Sequence, residues 1–412
     1  MIKFKSNFLQ TLQDRDFINQ ATDLDNLDQR LTENKITAYI GFDCTAKSLH
    51  IGSLIQIMML RLLQKNGHQP IILLGGGTTK IGDPSGKDKS RQILSENDIN
   101  SNLEGIKKSL EKFDLSKEDP SLPKFKFVNN EDWLNGLNYI EFLRDIGYQF
   151  SINKMLTFES VKNRLDREQN LSFLEFNYLI LQSYDFLELN KRFGCNLQIG
   201  GSDQWGNIVS GVDLIRRINS QNNKSEDIFG LTSPLLLNSE GKKMGKTADG
   251  AVWLDENMLD PFEYFQYFRN VKDEDIIRLL FYFTEISNEK ITEYKKLEGQ
   301  ELNKIKEILA FEATKICHGE DVAKDCLQKA QEIFKNKNEN AFKEIKIPTN
   351  SKLIDVMILS ESAPSKSQAR KLIASGAVKV NKEKTLDENY IFQEDDVFSV
   401  GKKKFFKILL NL

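Results

Sequence analysis

The sequence predicts an α/β fold, with a doubly wound parallel sheet followed by a helical domain and a small α+β domain. Two observations predict the sheet. A β-branched and aromatic run at 36–40 breaks at Gly41 and is followed from Ser53 by an apolar helical pattern, which indicates strand, loop and helix. A fully apolar run at 70–74 follows a helix stop signal at 65–67, as expected for a buried parallel strand. Strand, helix and strand with short connections form a βαβ unit, so we expect a Rossmann-like sheet.

The composition is that of an ordinary globular protein. The 412 residues suffice for two or three domains, and a net charge of −3 argues against nonspecific nucleic-acid binding by the whole surface. No secretory segment and no membrane-spanning apolar run is evident, so we expect a cytoplasmic protein without membrane contact. The four cysteines lack metal-ligand spacing, which predicts free thiols and no protein-bound metal: Cys44, Cys195, Cys317 and Cys326.

The stretch at 39–53 is the first candidate for a ligand site. A loop between a parallel strand and a helix presents backbone N–H groups and a positive helix N-terminus, where phosphate groups bind. His50 and Ser53 are expected just ahead of the helix, and Gly52 would let a ligand approach the backbone. The alternative is an ordinary turn that Ser53 caps.

A second candidate loop follows the strand at 70–74. Three glycines at 75–77 allow close approach of a ligand, Asp83 supplies a carboxylate, and Lys87 and Arg91 can reach phosphate. The alternative is a charged surface loop. The residues from about 92 to 170 that follow it are predicted to form a helical insertion. This insertion belongs to a first domain that spans 1–235.

Two further stretches supply polar side chains beside apolar ones. Tyr178, Gln182 and Asp185 share one face of a predicted helix, which favours a polar ligand over a solvated face. Asp203 and Gln204 follow another buried strand. Since ligands bind outside the carboxyl ends of strands in such sheets, we expect these loops and the lysine-rich loop at 241–247 to converge.

With these motifs in view, the chain resembles the bacterial tyrosyl-tRNA synthetases nearly from end to end. These enzymes are class I aminoacyl-tRNA synthetases. The paired signatures are His50-Ile-Gly-Ser and Lys243-Met-Gly-Lys-Thr. They are joined by a Gly-Asp-Pro-Ser-Gly-Lys run from Gly82 and by a Gln-Ile-Gly-Gly-Ser-Asp-Gln-Trp run from Gln198. The resemblance implies a catalytic domain at 1–235, then a mobile signature loop and helical tRNA-binding domain at 236–345.

The resemblance also implies a role for each matching residue. Those matching the tyrosine contacts of the family are Tyr39, Asp83, Tyr178, Gln182, Asp185 and Gln204. Those matching its ATP contacts are Gly41, Asp43, Gly52, Gly201, Asp203 and Lys246. Those matching its phosphate-binding, catalytic residues are Thr45, His50, Lys87, Arg91, Lys243, Lys246 and Thr247. The implied reaction activates tyrosine with ATP, accompanied by Mg²⁺, to tyrosyl-adenylate and pyrophosphate. It then transfers tyrosine to the 3′ end of tRNA(Tyr), with no tightly bound metal in the protein.

Two positions depart from the family pattern. Ser53 stands where a second histidine is frequent, and Ile40 stands where some relatives have a cysteine, so the nucleotide contacts expected there are in doubt. Neither change removes a group that the implied chemistry needs.

The residues at 351–412 resemble the S4-type RNA-binding domain that ends bacterial members. This segment carries 11 lysines and arginines against 8 acidic residues, and Lys366, Arg370 and Lys371 form a basic helical face suited to a sugar–phosphate backbone. A merely solvated face is the alternative. The resemblance further implies a homodimer, for which the apolar residues of 130–180, including Trp133, Phe142 and Phe173, could supply an interface.

Two other functions compete with this interpretation. A tryptophanyl-tRNA synthetase would share the fold and the ATP signatures, but Tyr39 and Asp185 suit a phenol hydroxyl. An RNA-binding protein on an inactive synthetase scaffold is expected to have lost some of the signature residues, whereas His50, Asp83 and Lys243 are all present.

Overall fold

The computed structural model describes residues 3–83, 94–168, 170–247, 250–333, 343–381, 383–401 and 404–411. The chain forms two compact units, Met1–Ala323 and Lys324–Leu412. The first unit holds the predicted sheet together with most of the helical segment predicted at 236–345. No helix in the described ranges has the length and apolar character needed to cross a bilayer.

The first unit alternates strands and helices along most of its length. Its strands are β1 (Gln20–Ala21), β2 (Thr37–Asp43), β3 (Gln69–Gly75), β4 (Lys126–Asn129), β5 (Cys195–Gly201), β6 (Phe229–Ser233), β7 (Lys246–Thr247) and β8 (Gly250–Ala251). Its helices are α1 (Asn7–Asp14), α2 (Leu24–Glu33), α3 (Leu54–Lys65), α4 (Glu96–Glu111), α5 (Glu131–Leu134), α6 (Tyr139–Asp145), α7 (Ile152–Met155), α8 (Glu159–Asp166), α9 (Phe173–Phe193), α10 (Trp205–Gln221), α11 (Pro261–Arg269), α12 (Ile276–Phe283), α13 (Asn288–Tyr294) and α14 (Glu301–His318). The next helix, α15, covers Glu320–Gln331.

The main sheet has the strand order β1-β6-β5-β2-β3-β4. All its neighbouring strands pair in parallel except β1, which runs antiparallel to β6 at the edge. The chain winds outward from β2 through β3 to β4 and, on the other side, from β5 to β6. The prediction of a doubly wound parallel sheet is therefore confirmed, and the crevice for a ligand lies where β2 and β5 meet.

The residues predicted for the first strand–helix–strand unit form it as expected. The helix α3 ends at Lys65, and Gly67 continues the chain with a φ of +80°, a conformation that glycine adopts without the steric cost of a Cβ. Every residue of β3 after Gln69 is buried, because helices cover both faces of the sheet.

The segment at about 92–170 differs from the prediction at one point. It is mostly helical, but it also contributes β4, which pairs in parallel with β3 from Ile71 opposite Lys126 to Leu74 opposite Asn129. The expectation of a helical insertion is wrong at these four residues. The four residues Lys-Phe-Val-Asn bury only Val128 fully, so they lack the long apolar run that marked the central strands.

The long helix α9 is fixed at both ends by its sequence. A capping box joins Ser172 and Glu175 at the N-terminus, and Gly194 ends the helix in the left-handed conformation with a φ of 60°. Because the ends are set, the register of Tyr178, Gln182 and Asp185 along the helix is set as well.

The second unit is a small α+β domain, as predicted. Its strands are β9 (Lys343–Pro348), β10 (Val378–Val380), β11 (Glu383–Lys384), β12 (Val397–Val400) and β13 (Lys404–Asn411), and its further helices are α16 (Leu353–Leu359) and α17 (Lys366–Ala374). The sheet order is β11-β10-β12-β13-β9, with β9 and β13 parallel and the other pairs antiparallel. Buried residues of both helices and of the sheet form its core, among them Met357, Ile373 and Phe398.

Candidate active site

A cavity of about 420 Å³ opens at the carboxyl ends of β2, β3 and β5. Residues from all four predicted loops and from the polar face of α9 line it, so the structure brings these distant stretches together. The predicted site residues on its wall are Tyr39, Gly41, Asp43, Thr45, His50, Gly52, Asp83, Tyr178, Gln182, Asp185, Gly201, Asp203, Gln204 and Lys243.

The other residues predicted for this site lie wholly or partly outside the described residues. Lys87 and Arg91 lie outside the described residues. The backbone of Lys246 and Thr247 forms β7, while their side chains also lie outside the described part of the chain.

Asp185 is a carboxylate held in an almost closed environment. Its side chain is 2% exposed and accepts hydrogen bonds from Asn130 Nδ2 at 2.9 Å and from Trp133 Nε1 at 2.8 Å. Burial raises the pKa of Asp185 to about 7, although both donors oppose that rise by favouring the ionised form. A carboxylate held in this way can accept a hydrogen bond from a hydroxyl group in a site that excludes water.

Tyr39 lies beside Asp185 in the apolar core below the cavity. Its ring packs against Phe186 with centroids 5.3 Å apart, and its side chain is 1% exposed. The hydroxyl is buried and has no hydrogen-bond partner among the described residues. Burial, followed by the Asp185 charge, holds the pKa of the phenol well above its usual value, so Tyr39 remains a neutral donor and acceptor.

Sequence reasoning missed three polar residues of this region. Asn130 and Trp133 hold Asp185 in place, and the buried Gln198 lines the cavity with an Oε1 that has no partner among the described residues. Asn130 and Trp133 directly follow β4. Recognising that strand would have placed them at the carboxyl edge of the sheet, where site residues are expected.

A chain of amide and carboxylate groups also borders the cavity. Gln204 Nε2 donates to Asp83 Oδ2 at 2.7 Å, and Asn207 Nδ2 donates to Gln204 Oε1 at 3.1 Å and to Gln182 Oε1 at 2.8 Å. The Asp83 carboxylate and these amide oxygens form a wall of acceptors. Such a wall suits an ammonium group, which is a donor only.

Asp43, which is predicted to bind the nucleotide, accepts hydrogen bonds from two side chains of the protein. Tyr178 Oη donates to Asp43 Oδ1 at 3.1 Å, and Thr78 Oγ1 donates to the same oxygen at 3.0 Å. The hydrogen bond from Tyr178 therefore joins a residue predicted to bind the tyrosine ammonium to one predicted to bind the nucleotide, and both roles remain predictions.

His50 occupies the mouth of the cavity in a defined orientation. Its Nδ1 accepts a hydrogen bond from the Gly52 backbone N–H at 2.9 Å. In the neutral ring the proton is therefore on Nε2, which makes that atom a donor. A Cβ at Gly52 would lie 2.5 Å from His50 Cε1, so the glycine makes room for the histidine ring.

Opposite charges meet where Asp203 and Lys243 line the cavity. Lys243 Nζ lies 3.7 Å from Asp203 Oδ2. Burial raises the pKa of Asp203, while the lysine charge lowers it. A lysine in this position offers a cation to a phosphate group, and the neighbouring carboxylate offers an acceptor to hydroxyl groups.

The raised pKa of Asp185 predicts a pH-dependent stability. Because the folded value of about 7 exceeds the unfolded value of 3.8, the protonated carboxyl favours the fold below pH 4, and this contribution is lost as the pH rises through 7. The Asp185→Asn variant does not lose stability in this way as the pH rises. Its free energy of unfolding relative to the wild type should therefore increase by on the order of 4 kcal/mol between pH 4 and pH 8, as urea titrations at several pH values would measure. A difference that stays constant with pH would contradict it.

Comparison with known proteins identifies the family of the chain. A family model described as tRNA synthetases class I (W and Y) matches residues 31–335, and one described as a tyrosine–tRNA ligase SYY-like C-terminal domain matches residues 333–408. The tyrosine–tRNA ligase of Ehrlichia chaffeensis is 52% identical over 100% of this chain and 99% of its own length. That of Wolbachia pipientis from Culex pipiens is also 52% identical, over 100% and 99%.

A solved structure extends the likeness to three dimensions. The C-terminally truncated mitochondrial tyrosyl-tRNA synthetase of Aspergillus nidulans superposes with a TM-score of 0.70 at 30% identity, covering 80% of this chain and 94% of its own. The family matches span both units, and His50 and Lys243, one from each signature, line the same cavity. The chain belongs to the class I tRNA synthetases, in the branch of the tyrosine–tRNA ligases.

Proposed function

We propose that the protein activates L-tyrosine with ATP to tyrosyl-adenylate and pyrophosphate, and then transfers tyrosine to the 3′ end of tRNA(Tyr) in the cytoplasm. The observation that carries the proposal is the pairing of a buried Asp185 and Tyr39 with a cavity whose mouth holds His50 and Lys243. A phenol hydroxyl that enters the cavity donates to Asp185 and shares a hydrogen bond with the Tyr39 hydroxyl. The substrate ammonium lies against Asp83, Gln182 and Gln204.

Activation needs no protein nucleophile. The tyrosine carboxylate attacks the α-phosphate of ATP in line, the bond to the bridging oxygen breaks, and pyrophosphate leaves with Mg²⁺ as the substrate's own ion. The protein contributes by orienting the reactants and by stabilising charge that develops on the phosphate oxygens. His50 Nε2–H, Thr45 and Lys243 are the described groups assigned to that stabilisation, and Asp203 is assigned to the ribose.

Tryptophan is the competing substrate, since the matching family model covers both specificities. The pocket argues against it. An indole has one N–H and no hydroxyl oxygen, so it could satisfy Asp185 or Tyr39 but not both. A buried polar group without a partner costs about 1–3 kcal/mol, which favours the phenol.

The second unit supports the RNA part of the proposal. Two of its predicted RNA-binding side chains are paired with carboxylates, Lys366 with Asp355 at 2.7 Å and Arg370 with Glu388 at 2.7 Å. Lys371 is exposed on the same helix, with no carboxylate partner among the described residues. Exposed ion pairs exchange readily for phosphate contacts, because they contribute little in water.

A homodimer is part of the same proposal. Most of the exposed large hydrophobic side chains that the structure describes lie between 139 and 174, including Tyr148 at 82% and Phe173 at 70%. Such a concentration is typical of a protein–protein interface. Trp133, in contrast, is buried and bound to Asp185, so it belongs to the site rather than to an interface.

Placing a charge in that apolar surface should separate the subunits. We expect Phe173→Glu to shift the protein from dimer to monomer in analytical ultracentrifugation at micromolar concentration, because a carboxylate cannot be desolvated there without a partner. Leu386→Glu in the second unit is the control, since its side chain is equally exposed at 70% but lies outside 139–174. A wild-type monomer, or a dimer in both variants, would contradict the assignment.

The whole proposal is tested by charging a tRNA(Tyr) transcript with tyrosine and resolving charged from uncharged RNA on an acid gel. We expect tyrosine-dependent charging in the presence of MgATP, and none of a tRNA(Trp) transcript with tryptophan. Charging of tRNA(Trp) would favour the competing specificity, and no charging of either RNA would refute the proposal.

A further inference from the structure

A short antiparallel ladder joins the His50 segment to the chain that follows the lysine-rich signature. The Ile51 N–H donates to the Val252 carbonyl at 2.9 Å, and the Leu254 N–H donates to the Leu49 carbonyl at 2.9 Å. His50 and Trp253 are the opposed residues at the centre of this ladder. Both also line the cavity.

The two side chains at the centre of the ladder are in contact. The rings of His50 and Trp253 lie edge to face, with centroids 6.2 Å apart and an interplanar angle of 61°. The Gly52 N–H holds Nδ1 of the histidine from the other side. The hydrogen bond at Nδ1 and the Trp253 ring thus both restrain the orientation of the His50 ring.

The same ladder holds the loop that carries Lys243. The Val252 N–H donates to the Gly245 carbonyl at 2.9 Å, and Gly245 has a φ of +92°. A Cβ at Gly245 would lie 3.2 Å from the Gly52 nitrogen and 3.4 Å from His50 Nδ1, so the two segments meet backbone to backbone. Residue 252 therefore binds the His50 segment through its carbonyl and the Lys243 loop through its N–H.

We propose that Trp253 is a positioning residue for the activation step, holding the His50 ring while its ladder fixes the separation between His50 and the Lys243 loop. This inference rests on the proposed function. Both groups act on the same triphosphate, so an error in their separation weakens stabilisation of the transition state. Tyrosine binds at the far end of the cavity, against Asp185, and its affinity does not depend on the ladder.

The test compares Trp253→Ala and Trp253→Phe with wild type in tyrosine-dependent ATP–pyrophosphate exchange. We expect Trp253→Ala to lower kcat about 10- to 100-fold, the scale on which small misplacements act. The dissociation constant for radiolabelled tyrosine, measured by equilibrium dialysis, should change by less than about twofold. Trp253→Phe keeps an aromatic wall and should recover most of the rate.

Phe262→Ala is the matched control, because Phe262 is a half-buried aromatic residue of the same unit outside the cavity. It should lower the melting temperature without lowering kcat. Three results would overturn the inference: an unchanged kcat in Trp253→Ala, a parallel loss of tyrosine affinity, or a Trp253→Phe variant as slow as the alanine variant. A wild-type protein that does not exchange would instead refute the proposed function, and the inference with it.

Discussion

Asp185→Asn should lower kcat/KM for tyrosine by about 10- to 100-fold and leave the value for phenylalanine nearly unchanged, so that discrimination between them falls by the same factor. Hydrogen bonds to charged groups contribute about 1.5–3 kcal/mol. Asn130 and Trp133 hold the Asp185 carboxylate where it can accept such a bond from the substrate hydroxyl. Phenylalanine has no hydroxyl and cannot lose that bond. Pyrophosphate exchange with each amino acid measures both values.

The control for Asp185→Asn removes a carboxylate elsewhere. Asp119 is exposed and its carboxylate binds only Ser121 among the described contacts, so Asp119→Asn should leave both substrates unaffected. An Asp185→Asn enzyme that still prefers tyrosine by the wild-type factor would show that another group reads the phenol. Gln198, with its buried and unpartnered Oε1, would be the first residue to examine.

His50→Ala should lower kcat for adenylate formation about 10²- to 10³-fold, the usual cost of removing one preorganised donor from a transition state. Tyrosine affinity should not change, because Asp185 and Tyr39 bind the far end of the substrate. Single-turnover formation of the adenylate, followed with saturating tyrosine and MgATP, measures this rate.

Gly52→Ala provides an independent route to the same result. The added Cβ would lie 2.5 Å from His50 Cε1 and 2.7 Å from Nδ1, so it must displace the ring without removing the histidine. We expect Gly52→Ala to be nearly as slow as His50→Ala and the double variant to be no slower than either. Full activity in Gly52→Ala would contradict the assigned role of the ring orientation.

The sequence was sufficient to predict the fold where periodicity and turn chemistry agree. Three patterns each indicate one structure: the run at 36–40, the helix stop at Gly67 and the apolar residues of β3. Together they locate the crevice. The polar face of α9 could also be predicted from spacing alone, because residues at i, i+4 and i+7 lie on the same face of any α-helix. The convergence of four loops then follows from the topology of the sheet.

The rest depends on contacts between residues that are distant in sequence. Asn130 and Trp133 follow a four-residue strand too short to mark by pattern, so their bonds to Asp185 were not foreseen. Gln198 stands inside a continuous buried strand, where alternation carries no information on which side chain faces the cavity. Spacing likewise could not predict that Tyr178 binds Asp43, 135 residues away.

Amino-acid-dependent ATP–pyrophosphate exchange tests the central claim most directly, with tyrosine, phenylalanine and tryptophan offered separately to the purified full-length chain and to His50→Ala. We predict exchange with tyrosine alone, reduced at least about 10²-fold in the variant. Exchange driven by tryptophan would contradict the assignment of Tyr39 and Asp185. Exchange with none of the three would show that this cavity does not activate an aromatic amino acid.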